Sequence, residues 1–198
     1  MSNRLQSTIL LMENRKKQMK DIPRIWFRKK ATLIFALDID KDGILSYEDA
    51  MTVVDRIIKS ANLKGAASDN IIQFFRKFMT GYDQANPGIY EKTWEVQLLE
   101  VWSTLNSEVV SERLKALHGK LFQTLDFNSD GFIHFSEYIH WWKALGLDPS
   151  LARLQFDYMD TDHDGRITEK EFVDAALDYE YNCDNDTKNR FYGPLVDF

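Results

Sequence analysis

Two stretches of this chain, DFNSDGFIHFSE from Asp126 and DTDHDGRITEKE from Asp160, place oxygen-bearing side chains at the first, third, fifth and twelfth places of a short acidic loop. Such a set can coordinate a hard divalent cation. Calcium takes six to eight oxygens, and a loop of this length supplies them from places 1, 3, 5, the carbonyl of 7, 9 (often through water) and 12. The first loop offers Asp126, Asn128, Asp130, the Phe132 carbonyl and Glu137; the second offers Asp160, Asp162, Asp164, the Arg166 carbonyl and Glu171. Gly131 and Gly165 stand at place 6, where the chain doubles back, and Ile133 and Ile167 at place 8, where neighbouring loops pair as a short ribbon. Both loops match the full calcium-loop pattern.

A third copy, DIDKDGILSYED, supplies Asp38, Asp40, Asp42, the Ile44 carbonyl and, at place 12, Asp49. Aspartate is one methylene shorter than glutamate, so a bidentate grip is harder and the coordination number drops towards the six that magnesium prefers. A fourth copy, DQANPGIYEKTW from Asp83, has Ala85, Pro87 and Trp94 where carboxylates are needed. Its expected role is to pair with the loop at Asp38.

The four loops recur every 34 to 45 residues, the signature of a repeated unit. Apolar residues at helical spacing flank each one: Phe27, Ala31, Ile34 and Leu37 before the first, Leu114, Leu117, Leu121 and Leu125 before the third, Phe172, Ala175, Ala176 and Tyr179 after the last. The expected fold is all-α, four helix–loop–helix units in two paired lobes. Pro23 either begins or kinks the first helix, Gly146 ends another, and Asp148-Pro149 caps the next. The polar run Asn106 to Glu112 marks the expected seam, giving a basic extension over residues 1–20, a first pair over 21–106 and a second over 107–198.

Composition narrows the function. The 198 residues are 44% hydrophobic and 13% aromatic, enough for a sizeable core. A net charge of −6 argues against nucleic acid as a partner. One cysteine, Cys183, forms no internal disulfide, and with four histidines it falls short of a zinc framework. No run approaches the ~20 apolar residues of a membrane span, and Ile9 to Met12 is shorter than the ~7 residues of a secretory signal core. The expected location is the cytoplasm, the expected state a monomer. Residues 1–30 hold nine Lys or Arg against Glu13 and Asp21, and these cations are expected to lie against the acidic body. No nucleophile–base set, phosphate loop or redox motif is visible, so no enzyme is expected.

The loops and their flanking helices resemble the EF-hand superfamily and, within it, the invertebrate sarcoplasmic calcium-binding proteins, in which the second of four hands is inactive. The tail from Asn189 to Val196, with Phe191-Tyr192-Gly193-Pro194-Leu195, resembles that family's C-terminal ending. The resemblance spans residues 25 to 196 and implies a calcium buffer with three sites for which magnesium competes. Coelenterazine photoproteins share the architecture, but they carry a histidine and a tryptophan where this chain has Ala176 and Glu180, so light emission is not expected. Two alternatives remain. One is a sensor acting on a protein target, disfavoured because none of the six methionines lies on the helices leaving the third and fourth loops. The other is a luciferin-type carrier of a small apolar ligand.

Overall fold

The chain folds as the helix–loop–helix repeat requires, in a computed structural model that describes residues 20–80 and 94–197. The loop at Asp83 and most of the basic extension lie outside the described residues. Eight α-helices are described: α1 (Arg24–Leu37), α2 (Tyr47–Ala61), α3 (Ala66–Thr80), α4 (Trp94–Thr104), α5 (Glu108–Leu125), α6 (Phe135–Ala144), α7 (Ala152–Met159) and α8 (Glu169–Tyr181). Two three-residue strands, β1 (Phe132–His134) and β2 (Arg166–Thr168), pair antiparallel. At their centre Ile133 faces Ile167, both fully buried, so place 8 of each loop pairs as expected.

Helix ends follow local chemistry. Pro23 begins α1 rather than kinking it, since its carbonyl accepts from Phe27 N at 3.0 Å. Gly146, at φ 73°, ends α6. Asp148 caps the 3-10 turn Pro149–Leu151 that leads into α7, accepting from Ser150 N. Ser107 caps α5 directly after the turn that follows α4, within the expected seam. An aromatic-rich core nevertheless runs through both halves, from Ala36 to Tyr192, with α2 packed on α6 and α3 on α5, and a second, smaller cluster gathers Ile22, Trp26, Leu98 and Leu105. Trp26, Trp141 and Trp142 are buried.

The C-terminal tail locks the first helix to the last. Trp26 Nε1 donates to the Glu180 carbonyl at 2.9 Å, Tyr179 OH to the Lys29 carbonyl at 2.7 Å and Lys29 Nζ to the Asn182 carbonyl at 2.8 Å. Lys30 forms a buried ion pair with Glu180. Arg28 Nε donates to the Val196 carbonyl at 2.8 Å, and Val196 N to Thr32 Oγ1 at 3.0 Å. Three of the N-terminal cations therefore do turn inward. Gly193 lets the tail pass: at φ 105°, a Cβ there would lie 2.7 Å from Leu147 Cδ2.

Between α1, α3, α4, α5 and the tail lies an apolar cavity of about 350 Å³. His118 stands in its wall, with Nδ1 2.8 Å from the Leu114 carbonyl and Nε2 3.3 Å from Tyr192 OH. Burial pushes its imidazole below the ordinary histidine range, against the pull of Glu180. The unfolded chain then binds a proton that the folded chain refuses. Stability present above about pH 6.5, the ordinary value, is lost as pH falls towards the depressed one. Urea midpoints of calcium-saturated protein should drop between pH 7 and 5.5, and His118→Asn should flatten that slope. An identical slope in the variant would show that His118 is not the group responsible.

Candidate metal centre

Each of the three described loops is built by the same hydrogen bonds. The entering helix ends on the place-1 aspartate, whose N–H still bonds back into the helix: Asp38 to the Ile34 carbonyl, Asp126 to Phe122, Asp160 to Phe156. Its Oδ2 then accepts from the place-6 glycine N–H, at 3.0 Å for Asp38 and Gly43, 2.9 Å for Asp126 and Gly131, and 3.0 Å for Asp160 and Gly165. Place 3 accepts from the N–H of place 5, and place 5 from that of place 7, as in Asp40 with Asp42 and Asp42 with Ile44. Backbone donors thus hold the side-chain oxygens on the inner side of each turn.

These turns bring the candidate ligands together. Carboxylate oxygens of Asp38, Asp40 and Asp42 lie within 4.8 Å of one another, as do those of Asp160, Asp162 and Asp164. In the loop at Asp126 the middle group is the amide of Asn128, whose Nδ2 donates to Asp130 Oδ2 at 3.0 Å. Like charges this close repel by roughly 3 to 4 kcal/mol per pair at an effective dielectric of 20. The donors are all oxygens, which suits calcium or magnesium and not a soft metal. Asp38 is 1% exposed and its Oδ1 has no hydrogen-bond partner among the described residues, a buried carboxylate oxygen that a bound cation would satisfy.

Place 12 has a second task that the loop pattern alone does not reveal. Asp49, Glu137 and Glu171 are each the third residue of the exiting helix, and place 9 is its N-cap. One carboxylate oxygen accepts from the cap N–H, at 2.9 Å from Ser46, from His134 and from Thr168. The other reaches across the loop to place 2, at 2.7 Å from Ile39 N, 2.9 Å from Phe127 N and 2.9 Å from Thr161 N. Asp49 spans both anchors despite its shorter side chain. For Glu171, burial pushes the carboxyl up, but donors on Thr168 and Thr161 prevail and hold it at about 2. Burial also acts on Asp49, and hydrogen bonds from Ser46, Ile39 and Asp40 bring it below the usual carboxylate range. Glu137 Oε2 accepts one hydrogen bond and keeps a lone pair for a cation, whereas both oxygens of Asp49 and Glu171 accept two, so a cation there would displace a hydroxyl or the second N–H donor.

Sequence reading missed several supports of the site. Thr161 Oγ1 donates to Glu171 at 2.8 Å, His134 Nε2 lies 2.9 Å from Asp130 Oδ2, and Arg166 Nε donates to Asp164 at 2.8 Å. The Arg166 guanidinium also lies 3.8 Å from the centre of the Phe132 ring, tying the two paired loops together. The adjacency of place 7 in paired loops is the signal that could have found this contact. His140, on the helix leaving the loop at Asp126, turns away from it, with Nδ1 3.0 Å from Ser60 Oγ.

Three acidic loops between helices, two of them joined by a ribbon, define an EF-hand protein. An EF-hand domain pair model matches residues 114–177. The chain is 31% identical over 177 residues to the sarcoplasmic calcium-binding protein of Perinereis vancaurica tetradentata, covering 87% of this chain and 99% of that one. It is 24% identical to the luciferin-binding protein of Renilla reniformis over 85% of this chain and 94% of the other. Among solved structures, the calcium-loaded apo form of the coelenterazine-binding protein of Renilla muelleri superposes with a TM-score of 0.67 at 23% identity, over 86% of this chain and 96% of that one. The chain belongs to the sarcoplasmic calcium-binding protein family.

Glu171→Gln removes a charge and replaces one of the two accepting oxygens by a donor, so one anchor is lost with it, and it should weaken calcium binding at its own loop by at least tenfold in calorimetry. Asp49→Glu should raise the preference for calcium over magnesium at the loop from Asp38. An unchanged ratio would show that reach at place 12 does not set that preference.

Proposed function

We propose that this protein is a cytosolic calcium and magnesium buffer with three active sites, at the loops from Asp38, Asp126 and Asp160. The observation that carries the reading is the shared carboxylate frame: all three loops hold their oxygens by the same backbone donors and anchor place 12 at both ends. Membership of the sarcoplasmic calcium-binding protein family supports it. Asp49 makes the first site the one most open to magnesium. The chain is read as a monomer with two EF-hand pairs, over 21–106 and 107–198, the first completed by a silent loop at Asp83. Among the described residues, no helix is long and apolar enough to cross a membrane.

A buffer fits the packing better than a sensor. Sensors open to expose a Met-rich groove, whereas here Met79 and Met159 are buried and the faces of α6 and α8 are filled by interlocked rings such as Phe135–Phe156 and Phe172–Phe191. A second reading, carriage of a small apolar ligand, is favoured by the cavity of about 350 Å³, of the size that small-molecule sites have. The luciferin-binding relative supports it.

Calorimetry should count three calcium ions per chain, moving the formal charge from −6 to about zero; two or four would overturn the site assignment. With a dissociation constant of about 10⁻⁸ M and association on the order of 10⁸ M⁻¹s⁻¹, calcium should leave at about one per second. Stopped-flow release at hundreds per second, with calcium-dependent capture of a partner helix, would favour a sensor. Because the cation binds the folded state, the thermal midpoint should rise steeply with calcium and fall with chelator.

A further inference from the structure

The central cavity is elongated. Along α5 its wall runs from Val110 to Leu121, about 16 Å of helix at a rise of 1.5 Å per residue. Its inner stretch is apolar or already paired. Lys30 and Glu180, both buried in the wall, form an ion pair, so their charges cancel. His118 is engaged at both nitrogens, by the Leu114 carbonyl and Tyr192 OH. Side chains such as Phe74, Phe75, Leu117 and Leu121 line much of the rest. A guest's charged end placed there would lose its hydration and find its counter-ion taken.

Arg113 differs from these groups. It lines the cavity but is exposed, and with the exposed Thr104 it places the mouth between α4 and α5. Of the charged groups in the wall it alone has no ion-pair partner among the described residues. Its neighbour Glu112 is taken by Lys115 at 2.8 Å, and the residues three and four places away on α5 are Val109, Val110, Ala116 and Leu117, none of them acidic. An anionic end at Arg113 stays at the wet mouth, where desolvation costs little, while the body of the guest leaves water along the channel. A guanidinium also matches the two oxygens of a carboxylate with parallel N–H donors. A cationic end would meet a like charge, and an uncharged guest would leave the guanidinium unused.

We propose that this cavity binds a long-chain carboxylate, its apolar chain laid along α5 and its head paired with Arg113 at the mouth. The inference rests on the small-ligand reading above and adds the chemical class of the ligand and the residue that selects it.

The test uses the full chain and two probes that share one fluorescent polyene chain, cis-parinaric acid and its methyl ester, at pH 8, where the acid is ionised. The acid should bind one per chain with enhanced emission. Arg113→Gln should weaken the acid about three- to tenfold while the ester changes by less than about twofold, since only the acid has a charge for the guanidinium to meet. Leu117→Trp, or the smaller plug Leu33→Phe if the first misfolds, should block both probes. No saturable binding of either probe, or binding indifferent to a folded plug variant, would overturn the small-ligand reading itself. Plug-sensitive binding of the ester alone, or an acid affinity that Arg113→Gln shifts no more than it shifts the ester, would leave that reading standing and overturn the carboxylate class.

Discussion

Carboxylates forced into one small volume are the constraint around which this molecule is arranged. Left alone, the oxygens of Asp160, Asp162 and Asp164 would separate, and the loop would open with them. Backbone N–H groups of the same turn oppose that tendency, and they are available because Gly165, at φ 87°, turns the chain sharply enough to point them inward. The place-12 carboxylate then ties the loop to the start of the next helix. Loop and helix are consequently one cooperative unit, since the cap that begins the helix belongs to the candidate ligand set.

Those units are linked by rigid rods. Helix α8 leaves the loop at Asp160 and runs to Tyr181, where Tyr179 and Glu180 meet Lys29, Lys30 and Trp26 of α1. Helix α1 runs on to Asp38, the first residue of another acidic loop. On the other side, α5 ends at Asp126 and packs along α8. The cavity lies where these rods converge, so its wall draws residues from helices that serve all three described loops.

Much of this was legible in the residues themselves. Loop spacing, glycine positions and apolar periodicity are local properties, and they specified the helices, the ribbon at Ile133 and Ile167 and the cap at Asp148, while Pro23 was left between a start and a kink. What escaped was decided at long range. The face read on α1 was Phe27, Ala31, Ile34 and Leu37, yet Lys29 is fully buried and Phe27 and Ile34 are half-buried. A lysine goes inside here because carbonyls beyond α8 receive it, as Asn182 does, and no pattern within α1 can announce a partner 153 residues away. Place 12 was read as a ligand because the motif weights charge, whereas its capping role depends on where the helix starts. Trp141 and Trp142 are adjacent and equally buried, but only their surroundings separate a satisfied indole from an unsatisfied one.

The clasp between α1 and the tail sets an order of assembly. A ribosome delivers the chain from its N-terminus at about 5 to 20 residues per second, so α1 exists long before Val196, which meets Arg28 and Thr32. Until the tail emerges, a helix with two buried lysines, Lys29 and Lys30, and Trp26 has neither its acceptors nor its cover. The nascent chain can complete its acidic loops one by one as each helix pair appears. It can seal α1 only once the tail has emerged, so α1 is made well before its native surroundings exist.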